Sequence, residues 1–233
     1  MFVDSFHVTR LAREGYECLT GARRKPFNET LLLSHLTSLD ALRAILDAII
    51  ARIHLLLPGP NTPFIDRALR SCLFTTSLAW AALVHPVYLE LKRRLSITVV
   101  AAPPSANADY SEPSLQRMEL LSQGLKRMTV TAALDVARNV RDIQDLSFIT
   151  HLRLVMLDVW ARVLIDERET AALMGVDRIQ ALQWILRGLK LRGWSHVDRS
   201  GIIEAVEHHL REDIEATFWA VFDPQLLPIS LPA

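Results

Sequence analysis

The chain has 233 residues, half of them hydrophobic, and its 26 Lys and Arg balance its 26 Asp and Glu. That much apolar material excludes a disordered chain, and the absence of net charge removes the usual electrostatic signature of a dedicated nucleic-acid binder. Two cysteines, Cys18 and Cys72, are too few for a disulfide framework or a zinc cluster and read as buried small hydrophobes in a reducing compartment.

The N-terminal stretch MFVDSFHVTRLAREGYE carries Asp4, Arg10, Arg13 and Glu14 where a secretory leader needs an uncharged apolar run, so secretion is not expected. Further along, Leu39, Leu42, Leu46, Ile49, Ile50 and Ile53 recur every three or four residues and share one helix face, with Asp40, Arg43 and Asp47 opposite. Thr37 is placed to cap this helix and Pro58-Gly59-Pro60 to end it. Thr62 before Pro63 opens the next, proline being favoured at the first helical position.

Cys72 to Leu89 contains no Asp, Glu, Lys or Arg, and Lys92-Arg93-Arg94 follows. Such a run suits either a bilayer span or a buried helix. Thr75, Thr76, Ser77 and His85 interrupt its apolar surface and Pro86 is expected to break it, so a central core helix is the better expectation and no membrane partner is assigned. Ile97 to Val100 looks like a strand, and the prolines of 97–113 look like a linker between two lobes, 1–96 and 114–233.

Beyond it, Leu115, Met118, Leu121, Leu125 and Met128 form one apolar stripe and Leu134, Val136, Val140 and Ile143 another, with a turn expected at Thr129 and Thr131. Leu152, Val155, Met156, Val159 and Val163 make a further stripe beside Trp160. Asp177 can cap a helix over 178–193, and Ser200 one over 201–222. The expected class is all-α: a single domain, 1–233, built as a multi-helix array of roughly eight to ten helices in two lobes.

Candidate chemistry is sparse. Glu204, His208 and Glu212 share a helix face, but a di-iron bundle needs Glu-x-x-His pairs, and the sequence has none; a solvated face with i,i+4 pairs explains them. Gly188 and Gly193 imitate the spacing of a phosphate loop, with Trp194 where the lysine belongs. Residues 170–188 have helix-turn-helix spacing with Gly175 in the turn. Arg178 and Arg187 are the candidate DNA contacts, although the second helix is otherwise apolar. No catalytic residue, metal ligand or cofactor is nominated, and no enzyme is expected.

The order of segments resembles the later part of the regulatory middle homology region of fungal zinc-cluster transcription factors. The matching residues are Leu11-Ala12, Cys18 and Ala22-Arg23-Arg24; then Leu73, Phe74, Ala79-Trp80 and His85; then Leu121, Leu125-Lys126-Arg127-Met128, Ala133, Ala137-Arg138 and Ile143 to Leu146. The likeness covers about the first 150 residues. It implies a nuclear helical domain that regulates transcription through contacts with other proteins, either the transcription machinery or further copies of itself. A fungal metabolic or secondary-metabolite gene set is the implied target. The family reads DNA through a separate six-cysteine cluster, which this chain cannot build from Cys18 and Cys72. Two alternatives stand beside this reading: a helical enzyme or small-ligand carrier with an internal apolar cavity, and a direct DNA binder through 170–188. Arg23-Arg24-Lys25 and Lys92-Arg93-Arg94 serve equally as short import signals or as solvated helix ends. The nuclear location therefore follows from the resemblance alone, and a cytoplasmic one is the default otherwise.

Overall fold

The computed structural model describes residues 29–59, 62–100, 112–143, 157–173, 178–190 and 201–221. Among them every regular element is an α-helix: α1 Glu29–Leu56, α2 Pro63–Val100, α3 Glu112–Asp142, α4 Leu157–Asp166, α5 Arg168–Leu173, α6 Arg178–Lys190 and α7 Ile202–Val221. The chain is all-α.

Helix α1 begins earlier than Thr37. The hydroxyls of Thr37 and Ser38 donate back to the carbonyls of Leu33 and Ser34 at 3.0 and 3.1 Å, which satisfies both residues inside the helix instead of at its start. Leu39, Leu42, Leu46 and Ile53 are buried as their spacing predicts, with Ile49 and Ile50 at the edge of the same face. The start of α2 also follows the sequence. Thr62 Oγ1 accepts from the Ile65 amide at 3.4 Å, and Pro63 takes the first helical position.

Pro86 does not break α2, which runs on for 38 residues. The ring faces solvent, so removing one amide donor there costs a hydrogen bond without forcing a clash into the core. Ile97 to Val100 is the last turn of this helix and not a strand. Thr75 and Thr76 enter the apolar run because their hydroxyls donate to Ser71 and Cys72 carbonyls at 2.7 and 2.8 Å. By length and composition α2 could cross a bilayer, yet 56% of its apolar window is buried against the rest of the protein. Phe74, Ala81 and Val84 are fully enclosed. The run is core in this fold, although Cys72 at its start faces solvent and is not the buried small hydrophobe its sequence context suggests.

The turn expected at Thr129 and Thr131 does not occur: both apolar stripes lie on the single helix α3, with Ile143 just past its end. Met118, Leu125, Ala132, Ala133, Val136 and Val140 form one continuous seam, and Thr129 sits inside it with no exposed surface. A threonine that looks like punctuation is here a small group filling a narrow place.

Helices α2 and α3 form the broadest contact. Arg70 meets the Asp142 carbonyl at 3.3 Å and Ser77 meets Asn139 at 2.6 Å, so the position on α3 falls as that on α2 rises and the pair is antiparallel. This pair joins the expected first lobe to the expected second, and one hydrophobic cluster draws residues from both. The ends of the expected linker belong to α2 and α3; residues 101–111 lie outside the described set. Helix α6 packs against α3, α4 and α7, and α1 packs chiefly on α2. Gly201, at φ +65°, turns the chain into α7, and its carbonyl accepts from the Ala205 amide at 3.0 Å. The caps expected at Asp177 and Ser200, and the segment containing Leu152, Val155 and Met156, lie outside the described residues.

Candidate functional site

A buried polar cluster centres on Glu167, at the turn between α4 and α5 and only 4% exposed. On α2, His85, Tyr88 and Lys92 fall at offsets of three and four and therefore share a face. The Tyr88 hydroxyl donates to Glu167 Oε1, and Lys92 Nζ lies 2.8 Å from the same oxygen. Lys126 of α3 approaches Oε2, also at 2.8 Å. Two helices, α2 and α3, are thus tied to one carboxylate at the turn between α4 and α5.

The charges explain the titration behaviour. Burial pushes Glu167 upward, but the bonds from Lys126, Lys92 and Tyr88 overcome it and hold the carboxyl below its ordinary value. Tyr88 is pushed up to about 12 by burial and by its hydrogen bond to the carboxylate. Lys92 is raised, chiefly by its bond to Glu167. His85 is lowered by burial, only partly offset by Asp166 and Glu167, with Lys92 adding to the depression. Its ring meets Trp160 edge-on, centroids 5.5 Å apart. Among the described residues, His85 Nδ1, Trp160 Nε1 and Thr129 Oγ1 have no hydrogen-bond partner.

Chemically this arrangement is a clamp. Both oxygens of Glu167 already accept bonds from cations, which leaves it a poor base. Tyr88 stays protonated across the neutral range, and so does Lys92, so neither offers a nucleophile. None of Glu167, Tyr88, Lys92 and Lys126 was nominated as a site residue from the sequence; Lys92 entered as part of a basic run and Lys126 among the residues that carry the family resemblance, while His85 entered as a polar interruption of the apolar run.

Of the two candidate DNA contacts, Arg178 is buried. Its guanidinium donates to the Leu164 carbonyl at 3.1 Å and pairs with Asp213, which also receives Arg168 at 2.8 Å. Arg187 is exposed on α6. The helix-turn-helix spacing corresponds to α5 and α6, and the residues between them, Gly175 included, are outside the described set. The apolar residues of α6 face inward, with Leu182 and Ile185 fully buried.

The α7 polar group forms pairs on a solvated face: His208 and His209 approach Glu212 at 3.6 and 3.2 Å, and Glu207 pairs with Lys190. Among the described residues no group of three His, Cys, Asp or Glu is placed to hold a metal ion. Gly188 serves packing: a Cβ there would stand 2.9 Å from Leu157 Cδ1 and 3.0 Å from Val140 Cγ1. The basic run after α2's apolar stretch is divided between acids, Lys92 going to Glu167 while Arg93 and Arg94 hold Glu90 at 2.6 and 3.0 Å.

Away from these clusters, the outward side of α1 and the start of α2 leave large apolar groups in solvent. Ile45 is 54% exposed, Leu55 80%, Leu56 57% and Phe64 63%. No protein-family model, curated protein or solved structure matches the chain.

Proposed function

We propose that this protein is a helical domain that regulates transcription by contact with other proteins, in the manner implied by its resemblance to the fungal regulatory region. The observation that carries the contact reading is the exposed apolar surface of Ile45, Leu55, Leu56 and Phe64, in a fold that also exposes Leu33, Ile65, Leu89, Leu120 and Ile214. Where such groups adjoin, they mark interaction surfaces more often than catalytic ones. The polar cluster at Glu167 supports the same reading, because it spends its titratable groups on structure. In this reading the whole chain is an array of eight to ten helices, its two parts fused through the α2–α3 contact. It acts in the nucleus on a metabolic gene set, bound to the transcription machinery or to another copy of itself.

The test tethers the full chain to a heterologous DNA-binding domain in a fungal reporter strain. Wild type is expected to change reporter output. The Ile45→Glu/Leu55→Glu double variant is expected to lose most of that effect at equal abundance and unchanged melting temperature. A wild-type fusion that leaves the reporter silent, or a double variant as active as wild type, overturns the reading.

A further inference from the structure

Helix α1 has an apolar face that α2 covers and an uncharged face that lies in solvent. Leu39, Leu42, Leu46 and Ile53 turn inward, and the helix packs chiefly on α2. On the outward side Ser34, Thr37, Ala41, Ala44, Ala48, Ala51 and Leu55 recur at alternating intervals of three and four, and every one is exposed. That alternation is a heptad pattern, so these residues keep to one seam along three heptads. Large apolar groups border it: Leu33 on one flank and Ile45 on the other, both exposed, with Leu55 closing it at 80% exposure.

The outside of a surface helix is ordinarily charged and polar, which suits it to water. Here the charges stand beside the seam and not in it. Asp40 and Asp47 each precede a seam alanine and share the flank of Leu33, whereas Arg52 shares the flank of Ile45. An uncharged helix face with acid along one edge and base along the other is complementary to itself.

We propose that this face of α1 is a self-association surface, on which a second copy of the chain lays its own α1 in parallel. The inference rests on the reading of α1 as a protein-contact surface and names the occupant. Two features set the direction. In a parallel pair each seam residue meets its counterpart, so Leu55, the most exposed large apolar side chain among the described residues, is covered by Leu55 of the second copy. Flanking residues five apart also meet across a parallel pair, which sets Asp47 against Arg52 of the second copy and repeats the contact by symmetry. Asp47 also holds Arg43 of its own helix at 2.9 Å, and a carboxylate can accept from both. An antiparallel pair centred on the same seam would instead set Leu55 against Ser34 and Asp40 against Asp47. The alanines allow the two helix axes to approach closely but bury little area, so the contact is weak.

Sedimentation equilibrium of the intact chain is the test. The apparent mass is expected to climb with concentration from 26.3 kDa toward twice that value. The Kd is expected on the order of 10–100 μM. Ala48→Glu, in the middle of the seam, should raise it at least about tenfold, and Arg52→Glu at least about fivefold, by setting acid against acid twice. Adding Asp47→Arg to Arg52→Glu exchanges the two charges and should bring the Kd back within about twofold of wild type. These side chains all lie in solvent, and unchanged melting temperatures verify folding. A wild type that stays monomeric, an Ala48→Glu variant that dimerises as wild type does, or a charge exchange no better than Arg52→Glu overturns the proposal. A monomeric wild type whose reporter effect still disappears in Ile45→Glu/Leu55→Glu overturns this inference alone, whereas a dimer with a silent reporter overturns only the transcription reading.

Discussion

Arg178, at the first turn of α6, and Asp213, in the middle of α7, form an ion pair in which both side chains are almost fully buried, at 8% and 6% exposure. Arg178 also bonds the Leu164 carbonyl of α4, and Arg168 of α5 supplies Asp213 with a second cation. A single contact therefore aligns four helices. Replacing Asp213 with Asn leaves a buried guanidinium without its counter-charge, and about 3 kcal/mol of stability should be lost, read as a lower urea midpoint. The double replacement Arg178→Met/Asp213→Leu should recover most of it, because an apolar pair has no charge to desolvate. A single variant within about 1 kcal/mol of wild type would refute this account.

Glu167, next in sequence to Arg168, anchors a second buried cluster. Glu167→Ala removes the acceptor from Tyr88, Lys92 and Lys126 at once and should cost about 1–3 kcal/mol, the lower part of that range reflecting the solvent that reaches both lysines. Tyr88→Phe should cost about 1 kcal/mol. It should also flatten the alkaline limb: Tyr88 is raised to about 12, so its contribution is whole below its unfolded value near 10 and fades as pH climbs through 12. Chemical denaturation at several pH values measures both effects.

Acid should weaken the fold in two stages. His85 is held below its ordinary value of 6.5, so just beneath that pH the unfolded chain binds a proton that the folded one refuses. Stability then falls with decreasing pH, by at most about 1.4 kcal/mol per pH unit for one group. Glu167 is held below its ordinary 4.5, so its contribution is present above that value and disappears as pH drops further. His85→Gln should flatten the upper stage alone, and Glu167→Gln the lower. If His85→Gln leaves the slope between pH 5 and 6.5 intact, the imidazole is not its source.

Gly188 should resist substitution although it lies inside a helix, where alanine is normally better by up to about 1 kcal/mol. Gly188→Ala would press on Leu157 and Val140 and should be destabilising by about 1 kcal/mol net. Combined with Val140→Ala, the loss should be clearly smaller than the sum of the two single changes, as a double-mutant cycle would measure.

How far the sequence carries a reader depends on the range of the interaction. The helical class follows from spacing within a few turns, and Leu39, Leu42, Leu46 and Ile53 are buried as that spacing requires. Local signals misled where packing outweighed them. Pro86 is tolerated because its ring points to water, and Thr129 is helical because its neighbours one turn away on either side are core. The Glu167 cluster was illegible for a different reason. Tyr88 and Lys92 lie 79 and 75 residues from the carboxylate they hold, and no motif spans such a distance. Arg178 looks like an available basic side chain until α7 brings Asp213 to it.

The antiparallel arrangement of α2 and α3 bears on how the polypeptide comes into being. Both partners lie within residues 63–142, so most of the central seam can zip together from chain neighbours before the last ninety residues are needed. On a translating ribosome this hairpin would have its greasy surfaces covered early, presenting α4 through α7 with a ready template on which to condense as they emerge.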